Sequence, residues 1–333
     1  QYACDVVHRI GSICDQEGVP HPDLMSESGR WLAAHSSLLV CEVIGSRTFP
    51  SAPNPQLLER ALQKDCPPQP LLDAHNAYER VREGDLVQAY ADAEHALVEA
   101  AAFFRLGQMD LEAKAACEEL FWATGRVVLS AHEELQDGLD GLPDRLADIY
   151  FLNLSVFQSL LDSWGIEQLF PVVPIHRLNE QPTRRGVLVD ITCDSDGRVD
   201  RFVAEGGSKA TLELHPTVPT SEPGTCSNIP YYLGFFLTGA YQETLGDLHN
   251  LLGDSHAAHV SIGDDGDWRI DTIVEGDTVS EVLGRVQFDA DDIRIQLHED
   301  VRAALVAGRI TRQEGASLRQ FLDDSLEGYT YLK

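Results

Sequence analysis

A multidomain α+β fold is what this sequence predicts, and three observations predict it. Between residues 71 and 162 apolar residues recur at helical spacing. Between residues 172 and 289 six short β-rich runs alternate with turn clusters. Over the first 49 residues helix and strand signals alternate, the habit of a parallel α/β unit. At 333 residues the chain has the length of two or three ordinary domains.

Tyr2, Val6, Val7, Ile10 and Ile13 form an apolar stripe, so the first element is a helix, and Glu17-Gly18 closes it with glycine as the C-cap. No initiator Met and no basic leader precede the stripe, so the chain is expected to begin inside a folded element. Pro20 and Pro22 mark a loop. A short strand is expected at 24–26, a turn into helix at 29–37 and a buried run at 38–44. One helix and two short strands close neither a sheet nor a barrel, so residues 1–49 are expected to be the tail of a larger domain.

Residues 50–165 open on a Pro-rich connector, with Pro50, Pro53, Pro55, Pro67, Pro68 and Pro70. After Gly84-Asp85, Leu86, Tyr90, Ala93, Leu97, Ala101 and Phe104 share one helical face, and Gly107 stops that helix. Two more long helices are expected over 110–135 and from 143 through 157. Short loops between long helices imply an antiparallel bundle. In residues 166–289 the strands are expected at 186–192, 199–203, 211–214, 232–241, 258–262 and 268–274, an antiparallel β-sandwich or barrel. Residues 290–333 return to helix as a small C-terminal domain, and Thr311 with Glu314 makes a capping box for the last helix.

Lys and Arg total 25 against 54 Asp and Glu, a formal charge of -29. A field of that sign repels phosphate backbones and anionic membrane surfaces, so neither nucleic acid nor membrane is an expected partner. No run approaches the roughly 18 apolar residues of a membrane span. The seven cysteines include no CxxC pair, which favours a reducing, cytoplasmic compartment. No GxGxxG and no Walker loop occurs.

Three stretches could carry chemistry. Ser26-Glu27-Ser28-Gly29-Arg30 lies where an expected strand meets a helix. Backbone N–H groups, a glycine permitting close approach and the Arg30 fork would suit an anion, although a plain turn with a surface arginine accounts for the same residues. In Asp190-Ile191-Thr192-Cys193-Asp194-Ser195-Asp196-Gly197 a thiol stands among three carboxylates. Such a thiol keeps its proton and could act as a general acid. A calcium loop is a rival there, but it lacks the third alternating ligand and the Glu at position twelve, and a β-turn at Asp196-Gly197 is the plainest reading. In the run from Tyr232 to Gln242, Gly234 and Gly239-Ala240 allow a ligand or backbone to come close beside Tyr241, or mark a bulge in a core strand. His249, His256 and His259 near Asp247 and Asp254 lack metal-site spacing, and His132-Glu133-Glu134 is no zincin motif, so no metal ligand is assigned.

Taken in order, these pieces resemble one family. The matching stretches run from Gly18-Val19-Pro20-His21-Pro22 to Arg30, then Ala34-His35, Asn153 to Ser159, Trp164 to Pro171 and Asp190 to Gly197. They continue through Gly234-Phe235-Phe236, Gly239-Ala240-Tyr241-Gln242-Glu243, Gly246 to Asn250 and Gly328-Tyr329-Thr330-Tyr331. They are similar to the C-terminal half of biosynthetic arginine decarboxylase, a pyridoxal-phosphate enzyme of the alanine-racemase-like group, and match its arginine branch.

The resemblance implies that residues 1–49 are the tail of a cofactor-binding (β/α)8 barrel, 50–165 a linker and helical bundle, 166–289 a β-sandwich and 290–333 a helical extension. It implies that Glu27 faces the pyridine nitrogen, that Gly29 and Arg30 hold the phosphate, and that Tyr241 hydrogen-bonds it. By the same resemblance Cys193 returns a proton to the substrate α-carbon and Asp194 faces the cationic end of L-arginine. The pair reaches into a partner subunit, so a homodimer or larger homo-oligomer is implied. Ser28 stands where ornithine-type relatives carry proline. Magnesium is a further family expectation, without identified ligands. The lysine that carries the cofactor is expected in the absent part of the barrel, because Lys64 lies by the Pro-rich connector, Lys114 within a bundle helix, Lys209 in a Gly-Gly-Ser turn and Lys333 at the terminus. The parent activity would be arginine to agmatine and CO2 in polyamine biosynthesis, with this chain inactive alone. The rival expectation is a non-enzymatic oligomerisation or regulatory protein of the same descent.

Overall fold

The computed structural model describes residues 2–131, 141–217 and 230–332. The chain opens with α1 (Tyr2–Glu17), closed as the sequence indicates. Gly18 takes φ +66°, and Val19 N–H donates to the Cys14 carbonyl at 3.0 Å. No strand forms at 24–26. Those residues find no partner strand, and Met25 is 98% exposed. After α2 (Gly29–Ala34) comes β1 (Leu38–Arg47), the expected buried run, but only one face of it is covered. Cys41 and Val43 are buried while Leu38 and Val40 face out.

The Pro-rich connector holds a helix of its own, α3 (Pro55–Leu62), because Asn54 Oδ1 accepts from Gln56 and Leu57 N–H at 3.0 and 3.2 Å. It packs with α4 (Gln69–Arg82), α5 (Leu86–Arg105) and α6 (Leu111–Ala131) as a bundle. The buried face of α5 is Ala89, Tyr90, Ala93, Ala96 and Ala100, displaced from the expected stripe, and Phe104 is exposed. Alanines bring helix axes close enough to exclude larger neighbours, so the bulkier residues are displaced to the rim. The far end of the second expected long helix, and the His132-Glu133-Glu134 stretch, lie outside the described residues.

The third expected long helix is corrected. Only α7 (Leu142–Arg145) is helical before β2 (Asp148–Leu152), and α8 (Val156–Ser159) and α9 (Leu161–Gly165) follow as single turns. In β2, Asp148, Tyr150 and Leu152 are buried and the residues between them are not, a period of two that overrides the helical reading.

The remaining strands are β3 (Val172–Pro174), β4 (Arg184–Val189), β5 (Arg198–Val199), β6 (Phe202–Ala204), β7 (Gly207–Lys209), β8 (Leu212–Leu214) and β9 (Tyr232–Phe236). Seven strands form one sheet in the order β3-β9-β1-β2-β4-β5, with β8 also on β4. Two expectations change here. The sheet is mixed, since β2 and β4 run parallel, and it takes β1 and β2 from residues read as barrel tail and bundle. The run expected to 241 stops at Phe236, where Leu237 turns to φ +65°. Tyr150, Leu152, Leu188, Phe202, Leu233 and Phe235 fill the core over this sheet.

After α10 (Gln242–Leu245), β10 (Ala257–Ile262) and β11 (Trp268–Val274) pair as a separate hairpin, and α11 (Val279–Arg285), α12 (Ala290–Val306) and α13 (Arg312–Leu326) complete the chain. The terminal motif fastens this end back on the sheet domain. Asn153 exchanges two hydrogen bonds with the Leu332 backbone, at 2.8 and 3.1 Å, and the Tyr331 hydroxyl donates to the Gly253 carbonyl at 2.9 Å.

The expected Thr311–Glu314 capping box is present, and Thr278 with Glu281 forms a second. Backbone N–H donation holds both glutamates below the ordinary carboxylate range. A depressed acid stabilises the fold above its unfolded-state value and loses that contribution as pH falls through the folded one. Acidification below the ordinary glutamate range should therefore weaken the C-terminal helices. Thermal scans followed by helical circular dichroism should show a shallower acid dependence in Glu281→Gln/Glu314→Gln than in the parent.

Candidate active site

Two corners carry the predicted site residues, and a short stretch of chain connects them. The first corner is the entry to α2. Glu27, Ser28, Gly29, Arg30, Trp31 and Tyr241 line an open cavity of about 430 Å³. Glu27 is exposed, and its carbonyl accepts from Gly29 N–H, tightening the turn. Tyr241 holds φ +70°, a left-handed backbone that aims its ring over this turn. The Arg30 guanidinium carbon lies 5.2 Å from the Tyr241 ring centroid. A side chain at Gly29 would sit 3.0 Å from the Tyr241 hydroxyl, so glycine keeps that space open. Gly239, in the turn after β9, brings this corner's second segment against the end of α2. Its Cα faces the Ala33 carbonyl, which a Cβ would approach to 2.3 Å, and its N–H donates to the Ala34 carbonyl at 3.1 Å.

Arg30 does not stand alone. It pairs with Asp162 of α9, a carboxylate only 7% exposed. Gln242 fixes that carboxylate by donating to Oδ2 at 2.7 Å, while Asp162 N–H donates back to Gln242 Oε1 at 3.0 Å. The pair with Asp162 engages one terminal nitrogen of Arg30, and with the side chain 45% exposed its guanidinium can still be reached by an anion from outside.

The second corner is the turn from Asp190 to Gly197. Asp190 is buried and accepts from Val156 N–H, Thr192 N–H and the Thr192 hydroxyl at 2.8, 2.8 and 2.7 Å. Burial pushes its carboxyl upward, and those donors oppose the shift. Gly197 is packed against it, for a Cβ there would lie 2.2 Å from Asp190 Oδ1. This knot presents Cys193 and Asp194, both exposed, at the tip. Asp194 Oδ1 accepts from Asp196 N–H at 2.9 Å, a local turn bond.

Neither Cys193 nor Asp194 lines the first corner's cavity, so one chain does not bring the predicted residues into one pocket. The corners are nonetheless tied. From α9, Asp162 reaches Arg30, and Trp164, two residues on, donates its indole N–H to Asp196 at 3.3 Å. Phe157 packs under Trp164 and His249, with centroids 5.3 and 4.5 Å apart.

Asp162, Gln242 and Asn250 are the residues for which the sequence showed no role. An acid inside the apolar run Leu160-Leu161-Asp162 was a signal, since a buried carboxylate requires a partner. Among the described residues no group of three or more His, Cys, Asp or Glu could hold a metal ion. His256 accepts from Gly276 N–H at 2.8 Å and stacks on Tyr329, while His259 stands on the exposed hairpin. The described lysines lie elsewhere, Lys64 on Asp110 and Glu112, Lys114 on Glu118 and Lys209 on Glu213. Lys333 and Cys226 lie outside the described residues.

An exposed thiol–carboxylate turn and an arginine cradle thus stand on a mixed sheet beside a helical bundle, and comparison with known proteins assigns the family. Residues 64–146 match the arginine decarboxylase helical bundle domain, and residues 279–332 match the arginine decarboxylase C-terminal helical extension. The chain is 42% identical over 335 residues to the biosynthetic arginine decarboxylase of Thermosynechococcus vestitus, covering 99% of this chain and 50% of that protein. It is 42% identical to the one from Rhodopirellula baltica, covering 100% and 52%. It also superposes on the crystal structure of the biosynthetic arginine decarboxylase SpeA from Campylobacter jejuni, with a TM-score of 0.75, 29% identity, and coverage of 100% of this chain and 51% of that one. The chain belongs to the biosynthetic arginine decarboxylase family, and it spans about half the length of the curated relatives it matches.

Proposed function

We propose that this chain is the part of a pyridoxal-phosphate-dependent arginine decarboxylase that grips the cofactor phosphate and supplies the proton donor. The complete enzyme would convert L-arginine to agmatine and CO2. The observation that carries this reading is that α9 buttresses both corners, Arg30 through Asp162 and the Cys193 turn through Trp164, in a chain of this family.

The donor set at the first corner fits the cofactor's phosphate. Arg30 supplies charge and N–H groups, Tyr241 a hydroxyl, and Gly29 the clearance a Cβ would remove. Glu27 would face the ring nitrogen. When bound, pyridoxal phosphate supplies an electron sink for the pair left on the α-carbon as CO2 departs. Asp194 pairs with the substrate guanidinium, and Cys193 Sγ–H donates a proton to the α-carbon. The pair lies on an exposed turn away from the cavity, so two copies are needed to complete each site, the turn of one meeting the cradle of the other. The strong negative charge draws a cationic substrate inward. Lys64 is a poor carrier of the cofactor, because hydrogen bonding to Asp110 strengthens its hold on its proton. The carrier lysine belongs to a part of the protein beyond these residues.

The test is direct. The chain incubated with pyridoxal phosphate and L-arginine should release no CO2, and its own reading frame extended to include the carrier lysine should restore release. In that longer protein Arg30→Ala should weaken cofactor binding roughly 10- to 100-fold, the loss of a charged hydrogen bond, measured by equilibrium dialysis. Turnover by the chain alone, or none by the longer protein, would overturn the proposal.

A further inference from the structure

We infer that Asn250 orients the Cys193 thiol, one carboxamide holding both the backbone and the sulfur of that residue so that the S–H proton stays available. Cys193 N–H donates to Asn250 Oδ1 at 3.1 Å, and Asn250 Nδ2 donates to Cys193 Sγ at 3.5 Å. The two contacts fix the amide's orientation between them. The oxygen must face a backbone donor, so the NH2 group faces the sulfur. Sulfur is then the acceptor, its own hydrogen is not used by Asn250, and the S–H vector is free to point away from the turn.

The backbone at Asn250 favours this side chain. It sits at φ 56°, ψ 21°, a left-handed conformation that asparagine tolerates better than most residues. Its neighbour His249 packs against Phe157 and brings its buried Nε2 to 3.9 Å from Asp194 Oδ2. One short segment, His249-Asn250, thus addresses both members of the Cys193–Asp194 pair. The titratable groups around the thiol are Asp190, Asp194 and Asp196 of its own turn and His249 of this segment.

The inference deepens the reading of Cys193 as proton donor, and its test needs neither substrate nor turnover, so a chain without decarboxylase activity still decides it. The rate of iodoacetamide alkylation at Cys193 is followed against pH by peptide-resolved mass spectrometry, with exposed Cys66 as internal reference. Asn250→Asp keeps the acceptor for Cys193 N–H but replaces the N–H donor at sulfur with an anionic acceptor. Its Cys193 profile should move up by about one pH unit, so alkylation on the rising limb falls about tenfold. Asn250→Gly, which keeps the left-handed backbone without the amide, should move the midpoint up by less. A Cys193 profile in Asn250→Asp that superimposes on the parent, or one that moves only as far as the Cys66 profile does, would overturn the inference.

Discussion

Asp148→Ala should destabilise the protein by about 3–5 kcal/mol, the cost of leaving buried charge without its counter-ion. Asp148 is 1% exposed at the start of β2. Arg184 of β4 donates to it from Nε at 2.5 Å and from a terminal nitrogen at 2.8 Å, and Arg126 of α6 donates at 3.1 Å. The carboxylate therefore joins the helical bundle to the sheet. The two arginines respond differently. Arg184, doubly bonded, holds its proton more tightly than usual, whereas burial and the charge of Arg184 loosen it on Arg126. Arg184 is accordingly the main counter-ion, and Arg184→Ala should cost more than Arg126→Ala. Removing an exposed pair such as Arg80–Asp92, both partners about 40% exposed, should change stability by less than about 1 kcal/mol. Urea unfolding of the four variants checks this. A loss in Asp148→Ala no larger than in Asp92→Ala would show that the bundle and sheet are joined by packing alone.

What could be read in advance divides along the distance between cause and effect. Gly18, Gly107 and the Thr311–Glu314 box act within a turn of chain, and each ends or begins a helix as the residues indicate. The Asp190–Gly197 turn is equally local, since Asp194 and Asp196-Gly197 bond one another. Strand pairing is not local. Nothing in Leu38–Arg47 itself says that its partners are Tyr232–Phe236 and Asp148–Leu152. The run from Asp148 to Phe157 shows helical and strand periods at once, and the neighbouring strand β4 decides for the second. The same holds at the site. Arg30, Tyr241 and Cys193 stand out by type and setting, whereas Asp162 and Asn250 act through residues 132 and 57 positions away.

Cys193→Ala in the protein extended to carry its lysine should lower kcat by about 10²–10⁴, the usual contribution of a positioned acid, while cofactor binding stays at the parent value. Folding does not confound the experiment. Cys193 is exposed, its side chain meets only Asn250 Nδ2 among the described hydrogen bonds, and surface truncations of that kind stay within about 0.5 kcal/mol. The knot beneath it, Asp190 with Val156 and Thr192, uses backbone and side chains that the substitution leaves in place. Arg30→Ala should behave in the opposite way, losing cofactor while saturating pyridoxal phosphate restores most of the turnover. The two phenotypes would separate because the proposed function gives the residues different atoms to serve, the phosphate for Arg30 and the α-carbon for Cys193. Mixing the two variants supplies the stronger discrimination. If each site takes its cradle from one copy and its thiol from another, hybrid dimers of Cys193→Ala and Arg30→Ala contain one site with both intact residues, and activity should return on co-refolding at pyridoxal phosphate too dilute to load Arg30→Ala alone. Sites built within one copy would give no return, and that result would place the thiol and the cradle in the same subunit.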